Sequence, residues 1–191
     1  MSGFSDEELV RRYLDGDGGA FSDLVRRHET RVYNLAYRLL GNADDAREAS
    51  QEAFLTCVRK LRGFRGDSAF GTWLFRVASN ASYDVLRRRQ RTPTPVEELP
   101  ETATSHDEAE GAAGAIDVQR ALTQVPEEFR LVLVMHDVQG MPYEEIAEAV
   151  GVPVGTVKSR LHRGRVALGR LLGAPGEQRG GRRASKRVED T

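Results

Sequence analysis

The chain has 191 residues, 39% of them hydrophobic and 30% charged, with a formal net charge of −1. That length suits one large domain or two small ones with modest cores, and the near-neutral sum points to no polyanion partner; only the distribution of charge can do that. No apolar run nears the ~18 residues of a membrane span, the N-terminal MSGFSDEELVRR lacks a signal-peptide core, and the single cysteine excludes an internal disulfide. The expected compartment is the cytoplasm, with no membrane contact.

Strand signals are scarce and helical spacing recurs. Leu9, Val10, Tyr13 and Leu14 mark a first helix over 6–15. Phe21, Leu24, Val25, Val32, Leu35, Ala36 and Leu39 mark a second over 20–40, which Gly41 ends; Asn42 then caps a third. Ala46, Ala49, Ala53, Phe54, Val58 and Leu61 give the third an apolar face up to Gly63, and Cys57 among them reads as a small buried thiol. After the loop FRGD, Asp67 or Ser68 caps a fourth helix running to about Arg89. Residues 1–92 read as one helical domain, with 16 basic and 13 acidic side chains.

Residues 93–115 hold three prolines, six acids and no Lys or Arg, the composition of an acidic flexible linker. Helical spacing returns with Ile116, Ala121 and Leu122, and Pro126 starts a further helix carrying Leu131 to Val134. Tyr143 to Val150 forms a short helix with Ile146, Ala147 and Val150 on one face; Gly151 supports a tight turn, and Pro153 and Thr156 suit the next helix start. From 174 onward the composition predicts a disordered basic tail. The expected fold class is all-α: two small helical domains joined by a flexible linker, the second (116–173) a winged-helix-like helix-turn-helix with no wing.

At 100° per residue, Val157, Leu161, Gly164, Leu168, Leu171 and Leu172 fall on one side of the last helix, its core face. Thr156, Lys158, Ser159, His162 and Arg163 fall on the other, and Arg160 and Arg165 flank the seam. Acids are absent from 149–176. Cations and short hydrogen-bonding residues on the second helix of such a motif suit the DNA major groove; the alternative is a solvated basic face.

In the fourth helix Phe70, Leu74, Val77, Ala81 and Val85 form the buried face, and Trp73, Arg76, Asn80, Tyr83 and Arg87 a neighbouring stripe. Aromatic rings interleaved with cations suit unstacked bases beside a phosphate backbone; packing of Trp73 and Tyr83 against other helices is the alternative. Phe64 and Arg65 precede this helix in a Gly-containing loop. Phe75 fits neither face. No Walker-type phosphate loop, metal-ligand cluster or nucleophile–base pair is visible, so neither a cofactor, a metal nor an enzymatic activity is expected.

The segments QEAF at 51–54, DSAFGTWLFRVASN at 67–80 and QGMPYEEIAEAVGVPVGTVKSRLHRGR at 139–165 resemble the sigma-70 superfamily of RNA polymerase sigma factors, in its extracytoplasmic-function (ECF, group IV) type. The resemblance implies a protein that binds core RNA polymerase and takes it to promoter DNA. Its region 2 (1–92) would melt the −10 element: Phe64 and Asn80 would line a pocket for a flipped base, which the loop of Arg65, Asp67, Ser68 and Ala69 would help to hold. Region 4 would read the −35 duplex with Lys158, Ser159, His162 and Arg163. Asp45, Gln51, Glu52 and Leu55 would dock on the clamp helices of the polymerase's largest subunit, region 4 would meet the flap of the second-largest, and the linker would thread toward the active-site and RNA-exit channels. An anti-sigma factor is a further implied partner. Gly71 departs from the bulky residue common at its position. A stand-alone helix-turn-helix regulator would account for 116–172 but not for the stripe at 73–87.

Overall fold

The computed structural model describes residues 3–91 and 118–173; the expected linker and tail lie outside them. Every regular element among the described residues is helical. The first four helices are α1 (Asp6–Leu14), α2 (Gly18–Leu40), α3 (Ala43–Lys60) and α4 (Phe70–Arg91), with a 3-10 turn at Leu61–Gly63. Their ends follow local chemistry. Ser5 and Glu8 form a reciprocal capping box at the start of α1. Gly41 ends α2 in the left-handed conformation, and the Asn42 side chain accepts from the backbone N–H groups of Asp44 and Asp45.

The buried positions of α3 are all small, Ala46, Ala49, Ala53 and Cys57, so α2 and α4 approach it closely on either side. Leu24, Val32, Leu35 and Leu39 of α2 meet Phe70, Leu74, Val77, Ala81 and Val85 of α4 in this core. Burial pushes the Cys57 thiol up to about 12, which keeps it protonated and inert. Not every expected apolar position is fully covered: Val58 and Leu14 stand exposed, and Tyr13, Phe21, Val25 and Phe54 are half-buried.

The C-terminal helices are α5 (described over residues 118–124), α6 (Glu127–Leu133), α7 (Tyr143–Val150) and α8 (Val154–Gly173). Pro126 stands at the N-cap of α6. A π-helical segment, Val134–Val138, continues α6. Leu131 through Met135 are all buried: α8 covers one side of this helix and α2 touches it from another, and a helix covered all round reads as a continuous apolar run. Where α8 crosses α6, a Cβ on Gly164 would sit 3.1 Å from the Phe129 carbonyl oxygen, so glycine permits the close approach. Gly151, at φ 73°, makes the turn between α7 and α8. The core face of α8 ends early: Val157, Leu161 and Gly164 are buried, Leu168 and Leu171 only half so, and Leu172 is 46% exposed because α8 outruns its neighbours.

The two helical groups pack on each other. α4 lies against α7, and α2 against α6 and the π segment. No helix among the described residues is long and apolar enough to cross a membrane.

Candidate nucleic-acid interface

On α8, Lys158, Ser159, His162 and Arg163 are all exposed and Thr156 half-exposed. They share the side opposite Val157 and Leu161. The Ser159 hydroxyl donates to the Thr156 carbonyl at 3.0 Å. Lys158 Nζ lies 5.5 Å from the Tyr143 ring centre and the Arg163 guanidinium 5.9 Å from that of Phe129, contacts worth little in water. Neither cation has a carboxylate partner among the described residues. The flanking arginines do: Arg160 pairs with Glu128 at 3.0 Å and Arg165 forks onto Asp137, its Nε at 2.9 Å. The outward face thus offers two unpaired cations and two short polar groups, while the seam arginines fasten α8 to its own domain.

At the start of α4, Phe64, Phe70 and Trp73 form an aromatic cluster, with Phe64 and Trp73 centroids 5.2 Å apart. A cavity opens beside it, lined by Gly63, Phe64, Arg65, Asp67, Ser68, Trp73, Arg76 and, from α7, Glu148. Ala69 is exposed at its loop edge, and Asn80, also exposed, lies about one turn along the helix beyond Arg76, the last residue of the lining on α4. The loop and Trp73 are therefore brought together; Asn80 shares their side of α4 without reaching the cavity. Arg87 is exposed and pairs with Asp84 at 3.2 Å. Gly71 faces His28, whose ring carbon lies 3.7 Å from where a Cβ would be, so a bulkier side chain would meet the imidazole.

Two members of the stripe face the C-terminal helices. Arg76 Nε donates to the Ala149 carbonyl at 3.1 Å and its Nη2 to that of Glu148. The Tyr83 hydroxyl donates to the Glu127 carbonyl at 3.0 Å, and burial raises its pKa.

On α3, Gln51, Glu52 and Leu55 line a shallow groove with Glu48, Asp84 and Arg88. Leu55 is 56% exposed there, an apolar side chain without cover. Asp45 stands apart, bonded to Arg89 at 3.0 Å.

Two family models match the chain: sigma-70 region 2 over residues 24–92 and sigma-70 region 4 over residues 115–168. The chain is 36% identical over 185 residues to the RNA polymerase sigma-H factor of Pseudomonas aeruginosa, covering 87% of this chain and 93% of that one. It is 41% identical over 170 residues to the ECF RNA polymerase sigma factor SigM of Mycobacterium tuberculosis, covering 88% and 85%. The chain belongs to the ECF sigma factors of the sigma-70 family. Its fold resembles CnrH in complex with the cytosolic domain of CnrY (TM-score 0.69, 25% identity, 87% and 96% covered). It also resembles the Bartonella quintana sigma factor RpoE in complex with the anti-sigma factor NepR (TM-score 0.64, 25% identity, 81% and 97% covered). The presence of both regions disfavours a stand-alone regulator, and the relatives are sigma factors rather than enzymes.

Several residues of this sigma factor escaped the sequence reading. Arg130 is buried, and its guanidinium donates to the carbonyls of Val125, Thr123 and Leu39. Glu145 accepts from Thr72 Oγ1 at 3.0 Å, and Gln119 bonds Arg38 and the Tyr37 carbonyl. The available signal was an arginine inside the apolar run FRLVLVM: a cation among core residues needs carbonyl or carboxylate partners.

Proposed function

We propose that this sigma factor directs promoter-specific transcription initiation by binding core RNA polymerase and dividing promoter recognition between its two helical units. Residues 1–92 serve as region 2 and 116–173 as region 4, joined by 93–115. α8 lies in the major groove of the −35 duplex, where Lys158 and Arg163 reach phosphates or guanine edges and Ser159, His162 and Thr156 contact bases. Arg160 and Arg165 approach the backbone from the rim. The loop from Phe64 to Ala69, with Trp73, takes an unstacked −10 base, and Asn80, Arg76, Tyr83 and Arg87 follow the single strand. Base capture offsets a few kcal/mol of unstacking, so melting needs no nucleotide hydrolysis.

Asp45, Gln51, Glu52 and Leu55 dock on the clamp helices of the largest subunit, and region 4 on the flap of the second-largest. An anti-sigma factor holds the protein inactive in the cytoplasm; the complex of the Bartonella quintana relative with one supports this partner. The observation that carries the reading is the outward face of α8, two cations without carboxylate partners among the described residues, beside short polar groups. Run-off transcription with core polymerase tests it: initiation at a promoter only when the protein is added is the expected result. Tight sequence-specific binding by the protein alone, with no effect on initiation, would refute it.

A further inference from the structure

Lys158, Arg160, Arg163 and Arg165 of α8 are held in two different ways. Arg160 meets Glu128 and Arg165 meets Asp137, so a carboxylate offsets the charge of each. Lys158 and Arg163 meet no carboxylate among the described residues. Each rests instead on an aromatic ring: Lys158 Nζ lies 5.5 Å from the centre of Tyr143, and the Arg163 guanidinium 5.9 Å from that of Phe129. The rings come from the helices packed on α8, Tyr143 from the first position of α7 and Phe129 from α6. Both are half-buried, so packing holds them while part of each stays accessible.

Each ring is itself supported. Tyr143 stacks on His136 with ring centres 4.7 Å apart, and His136 Nδ1 donates to the Met141 carbonyl at 2.9 Å, which sets the imidazole plane. His136 and Asp137 are neighbours in the π-helical segment Val134–Val138, whose turn carries one more residue than an α-turn. The same short stretch thus props one ring and fastens Arg165. Phe129 sits at the crossing of α6 and α8, its Cβ 3.4 Å from where a Cβ on Gly164 would be. A carboxylate holds a cation by offsetting its charge, and a phosphate must then compete with it. A ring face holds the cation through its quadrupole and leaves the net charge intact. Such a contact is weak in water, but it narrows the rotamers of a long side chain whose freedom is otherwise lost on binding. It strengthens when DNA excludes solvent.

We infer that Tyr143 and Phe129 are positioning residues for promoter recognition: each steadies one α8 cation, Lys158 or Arg163, on the outward face and leaves its charge free for a phosphate or a guanine edge. This rests on the −35 assignment proposed above. Neither ring has to touch DNA, because each acts through the cation it carries.

The test measures, by fluorescence anisotropy, the affinity of parent and variant holoenzymes for a fluorescein-labelled duplex that the parent holoenzyme selects from a random-sequence library. Tyr143→Leu keeps apolar bulk without a ring and should weaken binding about threefold, whereas Tyr143→Phe keeps the ring and should stay within about 1.5-fold of the parent. In a Lys158→Ala background Tyr143→Leu should cost nothing further, the signature of a residue that acts through another. Phe129→Leu with Arg163→Ala gives the same cycle at the second ring, and carries the test if circular dichroism shows that Tyr143→Leu does not fold. Equal loss from Tyr143→Leu in both backgrounds would overturn the inference, because a ring that touches DNA or only packs is indifferent to Lys158. Equal loss in Tyr143→Phe and Tyr143→Leu would overturn it as well, since the hydroxyl and not the ring face would then matter. If Lys158→Ala and Arg163→Ala both bind like the parent, the −35 assignment falls and takes the positioning with it. If they weaken binding while neither cycle shows coupling, only the positioning falls.

Discussion

Replacing Arg130 with methionine keeps bulk and removes every donor. Arg130 is only 8% exposed. Its Nε and Nη2 reach the Val125 carbonyl at 3.1 and 3.0 Å, Nη2 reaches Thr123 at 2.6 Å, and Nη1 reaches Leu39 in the other helical group. Three carbonyls lose this partner. At about 1–2 kcal/mol for each buried group left unpaired, the gross loss is about 3–6 kcal/mol. Part returns because a buried cation no longer has to be held: burial lowers the guanidinium's pKa, with Tyr83 and Glu127 opposing the shift. The net expectation is a destabilisation of about 2–4 kcal/mol, with Arg130→Lys between the two because one ammonium cannot span all three oxygens. Urea unfolding followed by Trp73 emission and by far-ultraviolet circular dichroism measures it. Since the Leu39 bond couples the two groups, the two probes should also cease to coincide in the variant. A midpoint equivalent to less than about 0.5 kcal/mol of change, with coincident transitions, would refute the reasoning.

Asp6 anchors α1 through His28, at 2.7 Å, and Arg27. Burial opposes its ionisation, but those hydrogen bonds and charges outweigh it and hold the carboxyl below the ordinary range. A depressed folded pKa stabilises above the unfolded value, about 3.9, and is lost as pH falls through the folded one. The gap in thermal midpoint between the parent and Asp6→Asn should therefore be full near neutrality and close as pH falls below about 4; a gap independent of pH would contradict this. Arg163→Ala in the holoenzyme should weaken −35 duplex binding by about 1–3 kcal/mol, as fluorescence anisotropy would show, and unchanged transcription from the cognate promoter would count against the assignment. Asn80→Ala should slow open-complex formation while leaving polymerase pull-down intact; equal loss of both would contradict a role in strand capture. Gly164→Val should cost about 1–3 kcal/mol in urea unfolding, because its Cβ meets the Phe129 carbonyl and Leu133; an unshifted midpoint would show that α6 and α8 separate freely.

The helices were legible where their signals are local. Gly41 and Asn42 punctuate α2 and α3 as read, and the bounds of α7 match. The outward side of α8 follows from one period, because Lys158, Ser159, His162 and Arg163 had a single apolar face to oppose. Phe75 was unreadable for the converse reason. Hydrophobic periodicity reports one apolar stripe, and the second buried face of α4 is made of Thr72 and Ser79 around one phenylalanine. Polar residues inside a contact leave no periodic mark. Leu172 and Val58 fail in the opposite direction: they continue an apolar stripe past the last neighbour able to cover it.

That polar second face has a physical logic of its own. Its serines are satisfied inside the helix itself. The Ser79 and Ser82 hydroxyls donate within α4, to the carbonyls of Phe75 and Ala78, so neither donor is stranded. Phe75, the large apolar group on this side, carries the Arg31 guanidinium 4.8 Å from its ring centre, and that cover comes from α2. The hydrogen bonds to helix ends, each worth on the order of 1 kcal/mol net, add to an apolar core that runs without a break from α2 and α4 into Leu131 to Met135, Ile146 and Ala149. Arg76 and Arg130, each meeting the other group's helix terminus, fix one arrangement of the two groups.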